Sequence, residues 1–348
     1  MQRKLIIGYQ HTPQGHDALA LGEILAETLS ARPTVATVPL IATVLPWSEQ
    51  LLSKSDLEAA LYLETKEPFA TARDRLSRLD PETRAIANHS PSEALYELAV
   101  QEQATLIVVG STHRGALGRV LPGSVGQALL HGAPCAVAVA PRGYAERSDR
   151  HLQRIAVAFD GSAEAWAALE TAIKLVARLH ATLTVLTAAE GERYGYATAG
   201  SILTAAEFQD FEREEKQRTL DLALSRAPDD LRVEGRLLSG SAGPRLAEVS
   251  EEFDLMVVGS RGYGALKRTA LGSVAGKLVN SAACPVLVLP RGAGMDPLGL
   301  KEAEAAARER LSTPELKAGP GAEAQQRRQC LSRPLSSPRA ATKRSSIE

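Results

Sequence analysis

The chain has 348 residues, 44% of them hydrophobic and 23% charged, with a formal net charge of −1. That length suggests two domains, each able to bury its own core. The near-zero charge and the 4% aromatic content argue against bulk attraction to nucleic acid or an acidic membrane, and against base stacking.

The first segment, "MQRKLIIGYQHTP", has basic residues ahead of an apolar run of about four residues, far shorter than a signal-peptide core, and it reads as a first strand. No window approaches the roughly 20 apolar residues of a membrane span. Further along, "SPSEALYELAVQEQ" predicts a helix with Ser90 as N-cap, Pro91 at the first helical position and Glu93 completing a capping box. A glycine-marked stretch follows, "GSTHRGALGRVLPGS" (110–124), and then "LLHGAPCAVAVAPRG" (129–143), which closes on a short apolar strand.

From residue 151 the same order returns. "RIAVAFD" is a short strand and "SAEAWAALETAIKLVARLH" a helix with apolar residues at helical spacing. "TLTVLTA" is the next strand, "AEFQDFEREEKQRTLDLALSRA" a long charged helix, "RVEGRLLSG" a third strand and "GPRLAEVSEEF" a short helix with Pro244 near its first turn. "LMVVGS" is strand four; the stretch "GSRGYGALKRTALGS" (259–273), a helix "SVAGKLVNSA" and a last strand "PVLVLP" complete the unit.

The two units align without forcing. "LIIGYQHTPQGHDAL" (5–19) lies over "IAVAFDGSAEAWAAL" (155–169), placing Gln10 on Asp160. "GSTHRGALGRVLPGSV" over "GSRGYGALKRTALGSV" gives nine identities in sixteen positions, and Cys135 falls on Cys284. The offset is 150 at the start and 149 at the end, so the chain carries a duplicated unit of about 140 residues. Boundaries at 1–145 and 151–292 follow. Residues 293–348 read as one appended short helix and then a Pro-, Ser-, Ala-, Gly- and Arg-rich segment of disordered composition.

Alternation of strands and helices with short apolar strands predicts, for each unit, an open doubly wound five-stranded parallel sheet with helices on both faces. If the strand order is 3-2-1-4-5, the end of strand one and the glycine stretch after strand four meet at the switch point where such sheets bind ligands. Physically, Gly259 follows a buried strand where the chain turns, and glycine there permits positive φ and close approach of backbone amides to an anion. Gly272 and Ser273 start the next helix, whose free amides favour negative charge; Ser273 either caps that helix or bonds a phosphate oxygen. Arg261, Lys267 and Arg268 add positive charge, or point to water. The bland alternative is a glycine-punctuated loop with an ordinary cap.

Several chemistries lack their signatures. "GSVAGKL" (272–278) has three residues between its glycines and Leu278 where a P-loop needs Ser or Thr, so it is not one. No His-x3-His pair, nucleophile elbow, or HIGH- or SGGxDS-type motif occurs. Cys135, Cys284 and Cys330 are too few and scattered for a disulfide framework or a zinc site, and a cytoplasmic protein with reduced thiols is the expectation.

The pattern G-x2-G-x9-G-[ST] at Gly259, Gly262, Gly272 and Ser273, with "AFDGS" at 158–162 and the closing "CPVLVLP", resembles the universal stress protein family, in its tandem two-domain form. The resemblance covers residues 1 to about 292. It implies a Rossmann-like, adenine nucleotide alpha hydrolase-like fold with strand order 3-2-1-4-5, and dimeric pairing through strand five. In a tandem chain that pairing would join "VAVAP" (137–141) to "VLVLP" (286–290) as an intramolecular pseudo-dimer, with a homodimer as a further assembly, and would leave the two aligned cysteines as small buried hydrophobes. It implies ATP, ADP or AMP as ligand, with or without magnesium, and no structural metal. In the second unit Asp160 would contact ribose and the backbone near Ala158 and Ala188 adenine. Gly259, Ser260, Arg261, Gly262, Gly264, Gly272, Ser273 and Val274 would surround the phosphates.

The first unit offers Gly8, Gln10, Gly110, His113, Arg114, Gly115, Gly123 and Ser124, but it departs from the pattern. Gln10 replaces the aspartate, and His113 the second pattern glycine, where a left-handed backbone would cost roughly 1–2 kcal/mol. The expected function is a non-enzymatic adenine-nucleotide-binding regulator of a stress response, acting on a protein partner that the sequence does not identify. The rivals are an interaction module with vestigial sites and, third, a slow ATPase.

Overall fold

The structure is a computed structural model that describes residues 3–39, 54–112, 117–190, 205–260, 271–291, 297, 298 and 300. In chain order the first unit contains β1 (Lys4–Gly8), α1 (Pro13–Leu29), β2 (Arg32–Thr37), α2 (Lys54–Arg75), β3 (Glu82–Ala85), α3 (Pro91–Glu102), β4 (Leu106–Gly110), α4 (Ser124–Gly132) and β5 (Ala136–Ala140). The second contains β6 (Arg154–Ala158), α5 (Ala163–Leu179), β7 (Thr182–Ala189), α6 (Ala205–Leu224), β8 (Val233–Ser239), α7 (Ala242–Val249), β9 (Leu255–Gly259), α8 (Ser273–Val279) and β10 (Val286–Leu289).

The ten strands form one sheet in the order β3-β2-β1-β4-β5-β10-β9-β6-β7-β8. Each half therefore has the expected order 3-2-1-4-5. Every neighbouring pair is parallel except β5 and β10, which run antiparallel with Val137 opposite Val288 and Val139 opposite Val286. The two expected sheets are thus halves of one, and the seam is the pairing of "VAVAP" with "VLVLP".

Strand alternation sorts the core onto two faces. Leu5, Ile7, Leu106, Val108, Ile155 and Val157 point to one side, where α1 and α5 cover them with Leu19, Leu25, Leu169 and Leu175. Ile6, Ile107, Val109, Ala156 and Val258 point to the other, under Leu95, Leu129, Leu246 and Leu278 of α3, α4, α7 and α8. Burial on both faces is why these strands read as apolar runs rather than alternating ones. At about 1.5–3 kcal/mol for each large aliphatic side chain removed from water, these two layers supply the main drive for folding. Cys135 and Cys284 lie buried in the second layer, and burial pushes both thiols up to about 12.

Local signals set the helix ends. Thr12 Oγ1 accepts the Gly15 N–H at 3.2 Å to start α1, and Ser162 Oγ accepts the Ala165 N–H at 3.2 Å to start α5. Ser30, Gln103 and His180 end α1, α3 and α5 in the left-handed conformation. The capping box at α3 is half formed. Ser90 Oγ accepts from Glu93 N–H, but the Ser90 N–H donates to Asn88 Oδ1 at 2.8 Å, so Asn88 takes the role expected of Glu93. The helix and tail expected after residue 293 lie outside the described residues, apart from 297, 298 and 300; Leu298 and Leu300 are buried in the core.

Candidate functional site

At the carboxyl ends of β1, β2 and β4 the first half holds a cavity of about 320 Å³. Five of the eight first-unit candidates line it: Gly8, Gln10, Gly110, Gly123 and Ser124. His113, Arg114 and Gly115 lie outside the described residues. The sequence reading passed over Thr12, Gln14, Val38, Leu95 and Thr112, which also line the cavity. Val38 was within reach, because Gly8 pairs with Ala36 as Ala158 pairs with Leu186, which puts Val38 at the place of Ala188. None of the cavity's described lining residues carries a charge at neutral pH.

The glycines that end β4 and β9 work differently from expectation. Neither has positive φ; among the described residues the glycines that do are Gly118, Gly143, Gly161 and Gly240. What excludes a side chain is a neighbouring helix. A Cβ on Gly110 would lie 2.0 Å from the Gln14 carbonyl oxygen, and one on Gly259 would lie 2.8 Å from Glu164 Cβ. These glycines let the first turn of α1 or α5 sit against the strand end, and that contact shapes the site's rim.

Ser273 does not cap α8. Gly272 occupies the N-cap position of α8 in extended backbone, and Ser273 is the first helical residue, too late to cap it. Gly123 and Ser124 stand in the same relation to α4. With no capping side chain at either helix, the amides of the first turn have no intrahelical acceptor, and at α4 they belong to Ser124, Val125 and Gly126, which line the cavity. The Gly272 N–H is already used, donating to the Ser260 carbonyl at 2.7 Å, while the Ser260 N–H donates to Leu289 O at 2.8 Å. Ser260 thus ties α8 and β10 to the end of β9 through its backbone. In the first half Ser111 makes the tie with its side chain: Oγ donates to Ala140 O at 2.7 Å and accepts from Leu121 N–H at 3.1 Å.

Asp160 follows β6 and is half-buried; its Oδ1 accepts the Ser162 N–H at 2.9 Å, across Gly161 at φ 83°. Beneath it Ala158, Ala188, Val258 and Val274 belong to one apolar layer. Glu164 on the first turn of α5 pairs with Arg291 at 3.6 Å, a charge pair that the sequence reading did not single out. Of the second-unit candidates, Arg261, Gly262 and Gly264 lie outside the described residues. The others stand at the carboxyl ends of β6, β7 and β9 and at the start of α8. An apolar floor, a carboxylate and uncapped helix amides suit a base, a hydroxylated sugar and a phosphate respectively.

Among the described residues, the histidines form no metal-holding group. His11 and His16 do meet, with ring centroids 5.1 Å apart and edge to face, and Tyr9 Oη lies 3.3 Å from His11 Nδ1. Burial holds His16 below its ordinary pKa. Among the described residues, no helix is long and apolar enough to cross a membrane.

Taken together, an open α/β sheet wound twice, with a cavity at the switch point of the first half, defines a tandem protein of the doubly wound α/β class. Solved structures agree on the fold. A universal stress protein from Archaeoglobus fulgidus superposes with a TM-score of 0.55 at 18% identity, covering 83% of this chain and 96% of its own. A putative universal stress protein from Pseudomonas aeruginosa gives 0.55 at 17% identity, covering 87% and 98%. A universal stress protein of Mycobacterium tuberculosis is 28% identical over 303 residues, which span 82% of this chain and 99% of its own length. The profile of the universal stress protein family matches residues 1–141 and again 151–290. The chain belongs to the universal stress protein family, as a tandem member.

Proposed function

We propose that this chain is a non-enzymatic, adenine-nucleotide-binding universal stress protein of the cytoplasm, which regulates a stress response through a protein partner according to the nucleotide it holds. Its competent site is in the second half. The observation that carries this reading is the position of Asp160. Its carboxylate stands at the carboxyl end of β6, braced by the Ser162 N–H, on the same sheet edge as the uncapped start of α8. One carboxylate oxygen is fixed by that bond, which orients the other for a sugar hydroxyl, and Ser273 and Val274 present amides to phosphate, while the Gly272 N–H holds the Ser260 carbonyl. The family's known nucleotide binders support the assignment by resemblance.

Purification under gentle conditions, acid release and mass spectrometry of the supernatant tests the proposal. ATP, ADP or AMP is expected at up to one equivalent from the second site. Asp160→Ala removes a charge-assisted acceptor and weakens adenylate binding roughly tenfold or more. Absence of bound nucleotide together with no ATP-dependent shift in melting temperature overturns the reading. A shift that survives both Asp160→Ala and Gly262→Glu relocates the site.

The first half favours a second reading for its own cavity. Gln10 stands where Asp160 does, the described lining is uncharged, and the turn is rebuilt around His11. Such a cavity fits an interaction module with a vestigial site, so the first half is assigned no nucleotide.

A further inference from the structure

Helix α8 is seven residues long, about 10 Å from end to end. Its amino end is the uncapped turn of the second-half site. Its carboxyl end runs into residues 280–283, and each of these four residues is held by a hydrogen bond from outside the second half. Gln127 Nε2 donates to Asn280 Oδ1 at 3.1 Å, and Arg119 Nη1 to Ser281 O at 3.3 Å. The Val120 N–H donates to Ala282 O at 2.7 Å, and Arg147 Nη2 to Ala283 O at 2.9 Å. Arg119 is fixed in turn by an ion pair to Glu251. Within the second half, Ser250 Oγ accepts the Ala283 N–H at 2.8 Å, so the corner is gripped from both sides.

The donors are not free-standing. Val120 is fully buried, and the segment carrying it is stitched to the chain between the two halves: Gly118 N–H donates to Arg142 O at 2.8 Å and Arg142 N–H to Arg119 O at 3.1 Å. That connecting segment is anchored on α1, where Asp17 accepts the Gly143 N–H at 2.8 Å and the Ala145 N–H at 2.7 Å. The second half has Ala167 in the place of Asp17, so this anchor belongs to the first half alone. The first half thus contributes a braced frame whose outer edge is closed on one short helix of its neighbour.

We infer that this frame positions α8, so that Arg119, Gln127 and Arg147 are positioning residues for nucleotide binding at a site built from the other half. The inference rests on the proposed function for its binding readout, and it gives the first half a role outside its own cavity. A short helix fixed at its far end presents its first-turn amides in one orientation. Released, the same helix pays an ordering cost each time phosphate binds.

The test uses the full chain and ATP as the probe, by isothermal titration, with Asp160→Ala identifying the second-site signal. Arg119→Ala with Arg147→Ala is expected to weaken that site roughly tenfold, within the usual range of coupling between sites. Gln127→Ala, which removes one exposed bond, is expected to weaken it two- to threefold, and Arg119→Lys, which keeps a donor for Ser281, to restore most of the loss. Leu76→Ala gives the baseline for a merely structural effect, because it hollows the core of the first half at a residue that makes none of the bonds to residues 280–283. Affinity that follows melting temperature across all these variants overturns the inference. Amide hydrogen exchange at residues 276–279 is the second measurement, expected to quicken about tenfold in the double variant. If the wild-type chain binds no ATP, the proposed function fails and exchange alone decides: unchanged exchange in α8 overturns the clamp, and quickening confined to α8 upholds it.

Discussion

The turns after β1 and β6 do the same job with different chemistry. After β6, Asp160 accepts the N–H of Ser162 with its side chain, and Gly161 takes φ 83° to close the loop. After β1, the Thr12 N–H donates to the main-chain carbonyl of Gln10 at 2.7 Å, and His11, in the place of Gly161, keeps negative φ. The loss of the carboxylate and the loss of the glycine are therefore one change. Without an acceptor side chain at position 10 the backbone supplies the acceptor itself, and the left-handed residue is no longer needed. The rebuilt turn has a cost further along. It pushes the Gln10 carbonyl to where the Cβ of residue 15 would be, 1.9 Å away, and the first half has Gly15 where the second has Ala165.

That contrast can be broken most sharply at Gly15. Gly15→Ala forces the turn or the start of α1 to shift and is expected to destabilise by roughly 3 kcal/mol, the upper end of overpacking costs. Ala165→Gly removes a methyl group from a helix start with room for it and costs about 1 kcal/mol. Denaturant melts of the two variants should separate clearly; equal losses would show that the turns are interchangeable.

The halves also differ at the opposite edge of the sheet. Asp254 bonds the Gln153 and Arg154 N–H groups at 3.0 and 2.8 Å and pairs with the Arg154 guanidinium at 2.7 Å. Its counterpart Thr105 makes a neutral bond to the Lys4 carbonyl. Burial would raise the Asp254 pKa, but the Arg154 side chain and the two backbone donors outweigh it and hold the carboxyl below its ordinary value. A depressed folded pKa means a contribution present above the unfolded value of about 3.9 and lost as pH falls through the folded one. Asp254→Asn should therefore cost roughly 2 kcal/mol at pH 7 and progressively less below about pH 4. A loss that stays constant with pH would remove the ion pair from the explanation. Thr105→Val should show no such pH dependence.

Much of this was legible in the chain because it is written twice. Aligning the units exposed the strands of the second half, the shared order of elements in the first and the Gln10 and His113 departures, and apolar strands between amphipathic helices implied a doubly wound sheet, while the helices after β8 and β9 end earlier than their sequence pattern suggests. What escaped was the packing of residues distant in sequence. That Gly110 and Gly259 exist to admit a helix turn depends on where α1 and α5 cross the strand ends, which no local pattern encodes. The role of Asn88 escaped for a different reason: two residues competed for one N–H, and only geometry chose between them. Val38 was recoverable, since strand register transfers Ala188 onto it.

Gly161 offers a smaller, more local test. A β-carbon at φ 83° costs about 1–2 kcal/mol, so Gly161→Ala should lower stability by that amount, read by thermal melting. His11→Ala, at negative φ, should lose a few tenths of a kcal/mol with its ring contacts. If Gly161→Ala is neutral, the Asp160 turn does not depend on a left-handed residue, and the coupling of the two losses fails.

The finest test runs the change backwards. Gln10→Asp with His11→Gly restores to the first half both elements of the second-half turn, and Thr12 keeps the N–H that Asp160 receives from Ser162. Gly15 tolerates either turn, because a glycine there meets no steric demand once the Gln10 carbonyl swings away. Stability is expected to change by less than about 1 kcal/mol, since a charge-assisted bond replaces a backbone one while a glycine adds chain entropy. The informative readout is stoichiometry. With an aspartate at the end of β1, above the existing cavity and the uncapped start of α4, the number of adenylates bound per chain should rise toward two. A graft that folds and still binds one would locate the defect of the first half beyond its turn, at His113 in the glycine stretch, and His113→Gly added to the graft would then be the change that restores binding.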